Sequence, residues 1–192
     1  PEPKSKYATT IGRFTIFGLL EHLQEMKLLT QDSTTLEKLG FEVTVGNIVW
    51  NMCKKELTDD SSHTLLVYSS DIKHNRLEIQ QYRNDAKKNY IQRKGSREPL
   101  LVINRGYGVG EYKFTYCLLN EQEEDAIEYV IENHLICIRY KGSIKRETLI
   151  EMYKKIIRSF ECDKTKKFIQ LYFGNNAINT TELCTIVPQY MI

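Results

Sequence analysis

The chain has 192 residues, of which 41% are hydrophobic and 27% charged, with a formal net charge of +2. This is the composition of a globular domain with a packed core, and it excludes wholesale disorder. No run of about 18 apolar residues occurs, which excludes a helical membrane span. The five cysteines (Cys53, Cys117, Cys137, Cys162 and Cys184) are scattered and never form a CxxC pair, which argues against a structural zinc site or a disulfide framework. Cys117, Cys137 and Cys184 lie in apolar stretches and read as small buried hydrophobes, so reduced thiols in a cytoplasmic compartment are expected. The first residues, Pro1 to Lys6, contain neither an initiator Met nor an apolar signal core, as expected of a fragment cut from a longer chain.

In chain order, residues 14–30 predict an amphipathic helix, with Phe17, Leu20, Leu23 and Leu28 near helical spacing. Thr34 followed by Glu37 has the form of a capping box, for a short helix ended at Gly40. Residues 41–45 then alternate, Gly46-Asn47 is a turn signal and residues 48–50 resume an extended run, which predicts a β-hairpin. Further strands are predicted at residues 65–68, 77–81, 100–104, 112–119 and 135–140, where β-branched and aromatic residues gather. Residues 85–94 are polar and basic, a short helix or a loop. Beyond Gly142 the helical period returns, with one stripe of Leu149, Met152, Tyr153, Ile156 and Ile157 and another of Phe168, Leu171 and Tyr172. Thr180 or Thr181 is expected to cap a last helix. The predicted class is α+β: a strand-rich central sheet, mixed or antiparallel, flanked by N- and C-terminal helices.

Charge is distributed unevenly. From Ile72 to Arg97 eight basic residues face two acidic ones, whereas Glu121 to Glu132 holds six acidic residues and no Lys or Arg. Such separation of sign predicts one face for an anionic partner; a solvated lysine-rich loop is the plainer reading. The four histidines form no paired metal-ligand spacing, and no GxSxG or Walker-type loop occurs. Gly106, Gly108 and Gly110 are followed by a strand-like stretch rather than a helix, which disfavours a dinucleotide site. One catalytic constellation can be assembled: Asp71 upstream of Glu111 and Lys113, the acid and Glu-x-Lys arrangement of a metal-dependent nuclease. However, Asp71-Ile72-Lys73 and Asp85-Ala86-Lys87 match acid-x-Lys as well, so the spacing selects nothing.

Three stretches together resemble the target-recognition (specificity) domains of restriction–modification adenine-N6 DNA methyltransferases. They are Gly40–Asn51 (GFEVTVGNIVWN) followed by Lys54 and Lys55; Pro99–Gly108 (PLLVINRGYG) leading to Tyr112–Tyr116 (YKFTY); and Ile131–Ile136 (IENHLI) with the tail Phe173–Leu183 (FGNNAINTTEL) and Ile186–Pro188 (IVP). The likeness runs from about residue 33 to the end and departs at Met52-Cys53, where a Gln-His-like pair is expected.

The resemblance implies an N-terminal helical connector over residues 1–33 and a DNA target-recognition domain over 34–192. It implies double-stranded DNA as one partner and a catalytic methyltransferase domain or subunit as the other. S-adenosylmethionine and the chemistry would sit in that partner, because the chain contains neither the Pro-Pro pair that such enzymes use to hold an extruded adenine nor a glycine-rich turn suited to S-adenosylmethionine. No catalytic residue, cofactor or metal site is expected in this fragment itself. The DNA-contact candidates are Lys54, Lys55, Lys87, Lys88, Arg93 and Lys94 for phosphates, with Arg105 and Tyr107 on a glycine-rich corner where backbone can approach closely. Arg105 suits a guanine edge or a phosphate; alternatively, Asn104 and Arg105 brace the turn. A non-catalytic protein-interaction domain is the remaining alternative, and it leaves the basic cluster unexplained.

Overall fold

The structure, a computed structural model, describes residues 4–104, 114–173 and 178–190. In chain order the described elements are β1 (Ala8–Ile11), β2 (Phe14–Phe17), α1 (Leu20–Thr30), β3 (Phe41–Val45), β4 (Leu57–Thr58), β5 (Thr64–Val67), β6 (Ile72–Lys73), β7 (Arg76–Leu77) and β8 (Tyr90–Ile91). There follow β9 (Leu100–Asn104), β10 (Tyr116–Leu119), β11 (Tyr129–Ile131), β12 (Leu135–Tyr140), α2 (Arg146–Glu161), α3 (Asp163–Phe173) and α4 (Thr180–Thr185). The class is α+β.

Two four-stranded sheets carry the fold. The first is antiparallel, in the order β10-β9-β12-β3, and the second is mixed, in the order β11-β5-β8-β4. Strand β9 explains how they stack. Its side chains alternate across the sheet: Leu101 and Ile103 join Tyr153, Ile156 and Phe160 of α2 in one core, while Leu100 and Val102 join Leu65, Val67 and Ile131 of the second sheet in another. Burial on both faces is why this segment reads as a continuous apolar run. A third core lies on the far side of the second sheet, where Leu66, Tyr68 and Ile91 pack against Ile48, Cys53 and the half-buried Trp50. The order of layers is therefore helices, first sheet, second sheet, and an outer arm around residues 48–57.

Helix α2 docks through the predicted stripe: Tyr153 and Ile156 are buried, and the Tyr153 hydroxyl donates to the Ile138 carbonyl at 2.9 Å. Phe160 extends the stripe by one turn and stacks on Phe114. In α3, Phe168 is buried as expected, together with Ile169 and Phe173, while Leu171 and Tyr172 lean toward α1. Cys117 and Cys137 are buried between the sheets, and burial pushes both thiols up to about 11.

Four local expectations are corrected. Residues 14–30 are not one helix, because Phe14–Phe17 pairs with Ala8–Ile11 as a hairpin and the helix begins only at Leu20. Residues 34–40 form successive turns rather than a capped helix; Thr34 pairs with Gln189 instead, and only the terminating Gly40, at φ +85°, behaves as predicted. Residues 41–50 are not a hairpin. Strand β3 pairs with β12, almost a hundred residues away, while Ile48 turns off to bridge Glu132 of the second sheet. The last helix is capped by Asn179, whose side chain accepts from the Glu182 N–H, and not by Thr180 or Thr181. Besides the β1–β2 hairpin, the strands not predicted are β4, β6, β8 and β11, each two or three residues long and too short to show a period.

Candidate nucleic-acid interface

Asp71 organises the outer arm. It is buried, and its carboxylate accepts from the Tyr68 N–H (2.9 Å), the Gln80 N–H (3.0 Å) and the Tyr82 hydroxyl (2.7 Å). These three donors come from a turn after β5 and from the otherwise irregular stretch beyond β7. One carboxylate thus replaces the strand pairing that the sequence predicted over residues 77–81, of which only Leu77, the end of β7, is strand. With its oxygens committed to structural donors, Asp71 is a clamp, and this supplies nothing toward the nuclease constellation. Glu111 and Lys113 lie outside the described residues, among which no cluster of metal-ligating side chains occurs.

The clamp sets the Tyr68 and Tyr82 rings edge to face at 5.1 Å. Lys87 inserts its ammonium between them, 4.0 Å from the Tyr68 ring centre and 3.9 Å from that of Tyr82, with Trp50 at 6.0 Å. Aromatic faces attract a desolvated cation through their quadrupoles. Burial pushes the Lys87 ammonium below its ordinary value, against the opposing pull of Asp71 and Glu132. Lys54 approaches the same Trp50 ring at 5.7 Å.

The structure therefore brings together two sequence regions that read as separate patches, Lys54-Lys55 and Lys87 to Lys94. A second link joins them: Arg93 grips Glu56 with two hydrogen bonds, at 2.5 and 2.7 Å, and reaches the Cys53 sulfur at 3.2 Å. This fork holds the Glu56 carboxyl below its usual range and raises the Arg93 guanidinium. Lys88 pairs with Asp59. Among the described residues, Lys54, Lys55 and Lys94 are exposed and make no ion pair. Sequence reasoning counted Lys88 and Arg93 as free cations, but their acidic partners lie 29 and 37 positions away and carry no local signal.

Met52 and Cys53, where the sequence resemblance breaks, divide sharply. Cys53 is buried beneath Trp50, whereas Met52 is 82% exposed at the tip of the same turn. Asn104 braces the two sheets, donating to the Ser69 carbonyl at 3.2 Å. Arg105 and Tyr107 lie outside the described residues. Glu132 and His134 form the turn before β12, with the Glu132 carboxylate accepting from the His134 N–H and facing the His134 ring.

Glu128 comes from the acidic segment yet lands beside the basic one. Its carboxylate accepts the Gly95 N–H at 2.6 Å and the Thr64 hydroxyl at 3.2 Å. Those bonds, with Arg97 and Lys94 nearby, hold it below the ordinary 4.5. A carboxyl depressed in the fold stabilises it above the unfolded value and loses that contribution as pH falls through the folded value. Between roughly pH 5 and 3, the melting temperature of the wild type should therefore fall more steeply than that of Glu128→Gln, whose amide carbonyl still accepts the Gly95 N–H. Parallel melting profiles of the two proteins would show that this carboxylate contributes nothing to acid sensitivity.

Compared with known proteins, the chain matches no family model and no curated protein.

Proposed function

We propose that the chain is the DNA target-recognition domain of an adenine-N6 DNA methyltransferase or restriction–modification enzyme, with the chemistry and S-adenosylmethionine in another domain or subunit. The observation that carries this reading is the approach of Lys54 and Lys87 to the same Trp50 ring, on an arm held by the Asp71 clamp and tied by the Arg93–Glu56 fork to the segment that carries Lys94. Phosphate recognition favours cations whose positions are set beforehand, since ordering a long side chain on binding costs about 0.5–1.5 kcal/mol each. The exposed Met52 beside Lys54 offers an apolar contact of the kind that distinguishes a thymine methyl in the major groove. Glu56 and Asp59 in the same surface restrain Arg93 and Lys88 until phosphates compete for them.

Fluorescence anisotropy with mixed-sequence duplex DNA, with and without the catalytic partner, tests the proposal. The triple variant Lys54→Ala, Lys55→Ala, Lys94→Ala removes only cations that make no ion pair among the described residues, so its melting temperature should match the wild type. Each lost phosphate contact lowers the slope of log affinity against log salt by about 0.9. Raising salt from 50 to 200 mM should then weaken the wild type by roughly 40-fold more than the variant. Equal slopes for the two proteins would sink the reading. So would a failure of the wild type to bind duplex even when its partner is present.

A further inference from the structure

A cavity of about 740 Å³ opens beside the basic patch and shares Arg93 and Lys94 with it. Its volume falls in the range of small-molecule sites, roughly 300–1,000 Å³. Beside a polar side that includes Ser61, Ser62, His63 and Gln92, two further surfaces line it. The strand residues Leu65 and Ile91, themselves buried, and the Ile79 and Ile127 side chains, 46% and 37% exposed, form an apolar wall. Lys94 and Arg97 form a cationic rim; both are exposed, and neither has an ion pair among the described residues. Tyr90 borders the same space.

The rim is firmly held. Ser96 and Tyr129 exchange two backbone hydrogen bonds of 2.9 Å, and the Glu128 carboxylate pins the Gly95 N–H. Gly95 is required there, because a Cβ would lie 2.5 Å from the Tyr129 carbonyl oxygen. The segment carrying Lys94 and Arg97 is thereby fastened to the start of β11. Glu128 also borders the cavity, but one of its oxygens already takes two donors, and the neighbouring Arg97 and Lys94 offset its charge.

An apolar wall beside a cationic rim suits a ligand with a flat apolar body and an attached phosphate. We propose that this cavity binds a single nucleotide, with its phosphate at Lys94 and Arg97 and its base against Ile79 and Ile127. The nucleotide comes either from an unstacked DNA strand or from free mononucleotide; the first source rests on the reading of the chain as a DNA-recognition domain. A base can enter only when it has left the duplex stack, and enzymes that modify bases bring that about. Base stacking or packing on protein side chains together with phosphate contact is how single strands are held.

Calorimetric titration of the full chain with dAMP, inorganic phosphate, a short single strand and an intact duplex separates the cases. Binding of dAMP and of the strand is expected, with dAMP displacing the strand. Lys94→Ala combined with Arg97→Ala should weaken both by roughly tenfold or more. Ile79→Ser should weaken dAMP but not inorganic phosphate. All three altered residues are exposed, so melting temperatures should not change. A strand that binds far more tightly than dAMP identifies DNA as the source, and comparable affinities identify free nucleotide. Inorganic phosphate binding as well as dAMP, or dAMP binding indifferent to Lys94 and Arg97, overturns the proposal. Duplex binding with no dAMP or strand binding also overturns it, while leaving the DNA-recognition reading intact. Strand and dAMP binding without duplex binding upholds the cavity, and absence of duplex binding after the catalytic partner is added as well sinks that reading alone.

Discussion

Replacing Asp71 with alanine is expected to destabilise the chain by about 3–5 kcal/mol, more than a truncation at an exposed position could cause. The carboxylate is 1% exposed and takes hydrogen bonds from Tyr68, Gln80 and Tyr82. Without it two backbone N–H groups and a hydroxyl lose their acceptor, and the half-buried Lys87 ammonium loses the larger of the two carboxylate attractions on it. Asparagine is no substitute: one of its two polar atoms is a donor, and Asp71 makes hydrogen bonds to donors through both oxygens. For a chain of this length each kcal/mol shifts the melting temperature by about 2–4 °C, so a fall of about 10 °C is expected for Asp71→Ala. A second readout localises the damage. Trp50 is the single tryptophan of the chain and lies at the margin of the Lys87 cage, so its emission should change in the folded variant. A loss within about 0.5 kcal/mol, the range of ordinary surface substitutions, together with unchanged emission, would show that the clamp does not hold the arm.

Gly46→Ala should be almost as damaging, for a reason of space rather than hydrogen bonding. A Cβ at this position would sit 2.2 Å from the Glu132 carbonyl oxygen and 2.5 Å from that of Ile131. Both obstacles are backbone, and no side-chain rotation relieves them. Gly46 is where the chain leaves the first sheet: its N–H donates to the Leu135 carbonyl, and two residues on the Ile48 N–H donates to Ile131. Forcing the strands apart there loosens the seam between the sheets and the root of the Trp50 arm together. The expected loss is about 3 kcal/mol, the upper range for overpacking a tight site. Gly18→Ala serves as the control, because its Cβ would meet only the Leu23 side chain, at 3.6 Å. Equal melting temperatures for the two variants would mean that the seam can open without cost.

On the proposed DNA-recognition reading, both effects bear on duplex binding through geometry. The cations of the outer surface belong to short turns with few hydrogen bonds of their own, and they are placed by the Asp71 clamp and by the seam at Gly46. Variants at those two positions should therefore lose duplex affinity as well as stability. The triple lysine variant should lose affinity alone.

The amino-acid sequence by itself determined the α+β class, the strands β5, β9 and β12, and the apolar stripe of α2. In each case a local run or period of apolar residues coincides with burial. It also located the basic residues, because charge is a property of composition. Only the tertiary structure decided where the chain changes partners. Phe41–Val45 and Ile48–Trp50 have the local form of a hairpin, yet each is satisfied by a different distant strand, since pairing with β12 and with the end of β11 buries more apolar surface than a two-stranded ribbon can. The same holds for charge. Whether a lysine or arginine faces solvent, an aromatic cage or a carboxylate depends on residues 29 to 37 positions away, as Lys88 with Asp59 and Arg93 with Glu56 show. Long-range pairing of this kind leaves no period in the sequence, because loop closure brings together residues whose spacing along the chain is arbitrary.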